Sequence, residues 1–169
     1  MQKRTLIIAA AVVAAAAGWY AFRPELLFVN RSVNETLRTT AAPQAPAGTM
    51  VAAASTVALA SGKFHGVHHE TEGTATVYRL PDGKRVLRFT QFSTSNGPDV
   101  RIYLVAASDA KDNATVTTAG FVELGPMKGN QGDQNYDIPE SVDLTKYRAV
   151  TVWCRRFAVN FATAPLATP

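Results

Sequence analysis

The stretch "TATVYRLPDGKRVLRFTQF", Thr74 to Phe92, decides the fold. Runs of β-branched and aromatic residues flank Pro81-Asp82-Gly83. Proline presets φ in such a turn, aspartate bonds the nearby backbone, and glycine supplies positive φ. After the turn, Leu87 and Phe89 fall on one face of an extended chain, and Val86, Arg88 and Thr90 on the other. Thr74–Leu80 and Lys84–Phe92 are therefore expected to pair as a hairpin.

The same texture continues on the C-terminal side. "SNGP" at Ser95–Pro98 breaks the chain, and "DVRIYLVA" then alternates Val100, Ile102 and Leu104 against Arg101, Tyr103 and Val105. Further strands are expected near Gly120–Leu124 and within Tyr147–Phe161. "GPMKGNQGDQNYDIPE", Gly125 to Glu140, is rich in glycine and polar residues and is expected to be an irregular loop. No amphipathic helix of 11 residues stands out after residue 57. The pattern predicts an all-β domain over 57–169, a small antiparallel β-sandwich or barrel.

On the N-terminal side, Lys3 and Arg4 precede an unbroken small-and-apolar run, Leu6 to Phe22. Seventeen helical residues span roughly 26 Å, close to a hydrocarbon core of about 30 Å. Trp19 and Tyr20 close the run, as aromatic residues do at a membrane interface. The sequence predicts a cytoplasmic stub at 1–4 and a transmembrane signal anchor at 5–22, with the domain in the periplasm or outside the cell. A cleaved signal peptide is the alternative, because Ala14–Ala17 offers small-residue cleavage sites. Residues 23–56 are expected to form a juxtamembrane segment and an Ala/Pro/Thr-rich linker. Within it, Leu26, Leu27 and Phe28 would rest on the membrane or cover the domain.

The net charge of +4 is uneven. Residues 1–60 hold five basic and two acidic side chains, and the remainder holds 12 and 11. The domain therefore has no clustered cations with which to neutralise phosphates, and nucleic-acid binding is excluded. No GxSxG, HExxH, CxxC or Walker pattern is present, so a redox or binding domain is favoured over a turnover enzyme.

Two groups of residues carry candidate chemistry. The first is "VTVWCRRFAVNF", Val150 to Phe161, which holds the single cysteine. Val150, Val152 and Cys154 share a face, while Trp153 points the other way. Phe157, Val159 and Phe161 have the opposite parity, so the register must shift at Arg155–Arg156 through a bulge or tight turn. Cys154 is thereby expected to face inward, either as core packing or as a redox thiol. The second group is "FHGVHHE", with His65, His68 and His69. Imidazoles with a thiolate suit copper or haem iron, and all four residues are candidate ligands. Adjacent histidines are also ordinary surface residues.

Three blocks together resemble a known family: "SGKFHGVHHETEGTATVYRLPDGKRVLRF", "NGPDVRIYLVA" and "KGNQGDQNYDIPESVDLTKYRAVTVWCRRFAVNFATAPL". Segment 61–166 is similar to the DM-13 domain, also called the electron-transfer DM-13 domain. That family's domain accompanies DOMON domains in animals and occurs in membrane-anchored forms in bacteria. The resemblance implies a small β-domain that transfers electrons through its characteristic cysteine, as a free thiol or through a bound group such as haem. In this sequence that cysteine is Cys154, and the histidine before the first hairpin is His68 or His69. Gly97, Pro98, Asp99 and Tyr136 match further motif positions, with Trp153 beside the cysteine. The expected partners are the membrane, through the N-terminal helix, and a redox protein. A cofactor-free binding or scaffolding module, with Cys154 as packing, is the other reading.

Overall fold

A computed structural model describes residues 2–22, 29–37 and 55–168. The expected contacts of Leu26–Phe28 and most of the Ala/Pro/Thr-rich stretch lie outside the described residues. Helix α1, Gln2–Phe22, is long and apolar enough to cross a membrane over Lys3–Tyr20.

The Pro81-Asp82-Gly83 turn joins β3, Glu72–Arg79, to β4, Arg85–Ser93, in antiparallel register. Gly83 has φ +85°, and the Asp82 carboxylate accepts the Lys84 amide at 3.0 Å. Leu87 and Phe89 are fully buried. Each such side chain contributes about 1.5–3 kcal/mol through burial. The alternation ends at Gln91, where φ is +51° and a bulge opposite Gly73 turns Phe92 into the core as well.

Around this hairpin two sheets form a sandwich, as expected. The first adds β1, Val57–Lys63, on one side and β7, Gln134–Ile138, on the other, giving the order β1-β3-β4-β7. The second comprises β2, His65–Gly66; β5, Val100–Val105; β6, Phe121–Pro126; β8, Ala149–Cys154; and β9, Val159–Pro165. Its order is β2-β9-β8-β5-β6, and every neighbouring pair in both sheets is antiparallel. Ala75, Val77, Leu87 and Phe89 from one sheet meet Ile102, Leu104, Val150, Val152 and Cys154 from the other. The opposite face of the second sheet is also covered. Tyr103, Val105, Ala149 and Trp153 pack with Val116 of α2, Asn113–Ala119. That cover explains why β8 is buried at all six positions rather than at alternate ones.

Two local expectations are corrected. The segment 125–140 is not irregular throughout, because β7 pairs with β4 from Arg85↔Ile138 to Phe89↔Gln134. Gln134, Tyr136 and Ile138 alternate inward, and Gln134 satisfies its buried amide on the Gly129 carbonyl at 2.8 Å. Phe157 does not join the inward face of Val159 and Phe161. The parity break is a four-residue turn, Arg155–Ala158, and Phe157 stands 58% exposed in it. A second shift, a bulge at Phe161, lets both Phe161 and Ala162 reach the core.

Residues 29–37 lie against the domain. Val33 and Glu35 donate backbone hydrogen bonds to the Gln131 and Asp133 carbonyls, both at 2.9 Å. The chain from α1 thus reaches the domain at Val29, ahead of the Ala/Pro/Thr-rich stretch.

Candidate functional site

One end of the sandwich gathers Cys154, the Gly97-Pro98-Asp99 motif, and His68 with His69. β4 ends there, β5 begins there, and the β8–β9 turn and the histidine segment close it. Cys154 is the last residue of β8, paired with Val100 on one side and Val159 on the other. It is fully buried and belongs to the main core with Val100, Phe161 and Ala162. The sulfur therefore faces inward, as the parity of β8 requires, and the turn that follows it is exposed.

The Gly97-Pro98-Asp99 motif supports this position from below. A Cβ on Gly97 would stand 2.9 Å from Val100 Cγ2 and 3.2 Å from Phe161 Cζ, so only glycine fits without displacing both. Asp99 ties down the strand end beside the cysteine. Its carbonyl accepts the Arg155 amide at 2.9 Å, and its carboxylate accepts Arg155 Nε at 2.9 Å and Arg101 Nε at 2.6 Å. Glu123 extends the network, accepting Arg101 Nη1 at 3.0 Å. Burial pushes the Asp99 carboxyl up, but the hydrogen bonds and charges of Arg101 and Arg155 outweigh it and hold the group below the usual carboxylate range. Arg155 is thereby committed to a carboxylate.

The histidine segment wraps the start of β9. The Phe161 carbonyl accepts the amides of Val67, His68 and His69 at 2.9, 3.2 and 3.2 Å. His68 Nδ1–H donates to the Asn160 carbonyl at 2.9 Å, which leaves Nε2 as that ring's other nitrogen. His69 lies on the Phe161 ring with centroids 3.8 Å apart. Burial, then the neighbouring His68, pushes the His69 pKa down. Phe161 thus stands between His69 and the core that holds Cys154. His65 is separate: its Nε2 meets Asp109 Oδ1 at 2.9 Å.

Tyr136 is buried in the main core. Its hydroxyl donates to Gln134 Oε1 at 2.6 Å and accepts the Lys128 amide at 3.2 Å, while burial pushes its pKa up. Trp153 packs in the α2 cluster, on the face opposite Cys154.

The donors do not form a ready metal centre. Among the described residues no three His, Cys, Asp or Glu side chains group to hold an ion. The clefts beside the histidines are lined by residues 66–72 and by His65, Gly66, Val67, Asp109 and Lys111, and Cys154 lines neither. A two-histidine, one-thiolate copper site needs its three ligands on one point, and a haem thiolate needs an open face at sulfur. As placed, Cys154 and the histidines fit neither group.

Several of these partners were missed from sequence: Asp109 for His65, Asn160 and Phe161 for His68 and His69, and Arg101 with Glu123 for Asp99. Asp109 lies 44 residues from His65 and Asn160 lies 92 from His68. No local spacing could have joined them.

Fold and site together define a small antiparallel β-sandwich with one buried cysteine at the end of a strand, beside an Arg–Asp clamp and a histidine-bearing segment. The family described as Electron transfer DM13 matches residues 63–166, more than half of the chain. The chain belongs to the DM13 family. No curated protein and no solved structure matches it.

Proposed function

We propose that this chain is a membrane-tethered domain, exported from the cytoplasm, that passes electrons to or from a redox partner protein through Cys154. The observation that carries the proposal is the position of the chain's single cysteine. It falls inside the segment matched as an electron-transfer domain, at a strand end one residue from an exposed turn. An electron leaves Sγ for the partner as the thiol proton is released, and return of both restores the thiol. Burial suits this better than thiol–disulfide exchange, which needs an attacking or attacked sulfur within reach of another. No step is routed through haem or copper, because the donors are not placed for either. Helix α1 is read as the anchor, with Lys3 and Arg4 on the cytoplasmic side and the domain in the periplasm or outside the cell.

A second reading has its own observation. Cys154 is fully buried among Val100, Phe161 and Ala162, where a cysteine behaves as a small hydrophobe. The chain would then be a cofactor-free binding or scaffolding module.

Thiol accounting and visible spectra on the detergent-solubilised full chain separate the two. Electron transfer through the thiol predicts that a soluble one-electron oxidant consumes one equivalent per folded chain, and that Cys154→Ala abolishes this uptake. Packing alone predicts a thiol inert to oxidant until the chain is denatured. A Soret or thiolate–copper band in wild type would overturn the cofactor-free form of the proposal.

A further inference from the structure

The end of the sandwich that carries Cys154 is also the end at which the chain from α1 arrives. Phe22 closes α1, and Val29 is the next described residue, seated on the domain. Seven peptide steps at about 3.6 Å each reach at most roughly 25 Å. The Val29 carbonyl accepts Asn96 Nδ2 at 3.0 Å, and Asn96 precedes the Gly97-Pro98-Asp99 motif that clamps Arg155. A cleft of about 430 Å³ between the two segments is lined by Val29, Arg31, Asn96, Asp99 and Val100 among others. The nine residues of β4 add about 30 Å, at roughly 3.3 Å per residue, before the opposite end is reached. Chain length alone therefore keeps Val29, and the cysteine end on which it is seated, within roughly 25 Å of the end of α1.

That end presents the Arg155–Ala158 turn, exposed at all four positions. Ala158 takes φ +51°, a left-handed conformation unusual for a residue with a side chain, and β9 pairing resumes at the next residue. Phe157 is the most exposed aromatic side chain described in the β-domain, at 58%. Arg156 is exposed and makes no ion pair among the described residues, in contrast to Arg155. Arg31 is exposed on the arriving segment. An aromatic ring beside an unpaired cation suits the headgroup layer of an anionic bilayer, where the ring enters the interface and the cation meets phosphate.

We infer that the Arg155–Ala158 turn docks on the anionic surface of the bilayer that holds α1, with Phe157 in the headgroup layer and Arg156 against lipid phosphate. The inference rests on α1 being a membrane span. It adds to the proposed function a location for exchange: the cysteine sits just above the bilayer surface, so its redox partner presents its own centre at that surface.

The test uses the full chain in vesicles of phosphatidylcholine, with and without phosphatidylglycerol. A fluorophore is attached through Phe157→Cys, or through Glu140→Cys as the control at the opposite end, each with Cys154→Ala so that one thiol is labelled. Flotation reports anchoring, and quenching by lipids spin-labelled near the headgroup reports docking. Docking predicts co-flotation and several-fold stronger quenching of the 157 label than of the 140 label. It also predicts weaker quenching of the 157 label without phosphatidylglycerol, or with Arg156→Glu. Co-flotation with equal quenching of the two labels overturns the docking while leaving the anchor intact. Quenching that ignores both lipid charge and Arg156→Glu overturns the anionic contact. Failure to float overturns the anchor and the docking with it.

Discussion

Cys154 occupies a position that would suit valine, and its substitution measures two costs at once. Cys154→Ala leaves a small void and should cost on the order of 1 kcal/mol. Cys154→Ser buries an unpartnered hydroxyl and should cost more, about 1–3 kcal/mol. Urea unfolding of the two variants checks the order, and a serine variant as stable as alanine would contradict the dry surroundings described for the sulfur. His69 provides a pH signature. Its folded pKa is lowered below 6.5 by burial and by His68, so the unfolded chain binds the proton more readily. Its contribution to stability is complete above pH 6.5 and declines as the pH falls through that value toward the lower folded pKa. Wild type should lose more stability between pH 7.5 and pH 5 than His69→Gln does, measured by urea midpoints. Equal losses would place His69 in free solvent.

At the scale of elements, the strand ends around the cysteine are held by the Gly97–Asp99 turn. Gly97→Ala drives a methyl against Val100 and the Phe161 ring and should cost about 1–3 kcal/mol. Asp99→Asn removes the charge shared by Arg101 and Arg155 and should cost about 1–2 kcal/mol, reduced by salt because the network is partly open to solvent. Thermal unfolding at low and high ionic strength checks both, and only the aspartate effect should shrink with salt. The hairpin about Gly83 and the inward face of Cys154 were legible because alternation and turn chemistry are local. β7 was not. Two of its three inward residues are Gln134 and Tyr136, whose polar ends are satisfied among the described residues by Gly129, Lys128 and each other, so the sequence reads as loop. Phe157 misled for a related reason. Its parity matched Phe161, but the turn ends between them, at Ala158.

For the molecule as a whole, residues 29–37 convert a linker into part of the domain. Glu35 accepts Lys128 Nζ at 2.8 Å and the Asn135 amide at 2.8 Å, and its carbonyl accepts Arg88 Nη1 at 2.8 Å. These partners lie 53 to 100 residues away, which is why no pattern near Glu35 announced them. Glu35→Ala should destabilise the domain by about 1–2 kcal/mol, seen in urea unfolding of the full chain. An unchanged midpoint would detach the segment from the domain. Such docking seats Val29, where the chain from α1 reaches the domain, beside the cysteine-bearing end. That arrangement has a use if Cys154 exchanges electrons. Voltammetry of the full chain, held in a supported bilayer on an electrode, tests that role most directly. Wild type should give a reversible wave that disappears in Cys154→Ala, while circular dichroism shows both proteins folded. A wave that survives the substitution, or a folded wild type with no wave, would contradict electron transfer through Cys154.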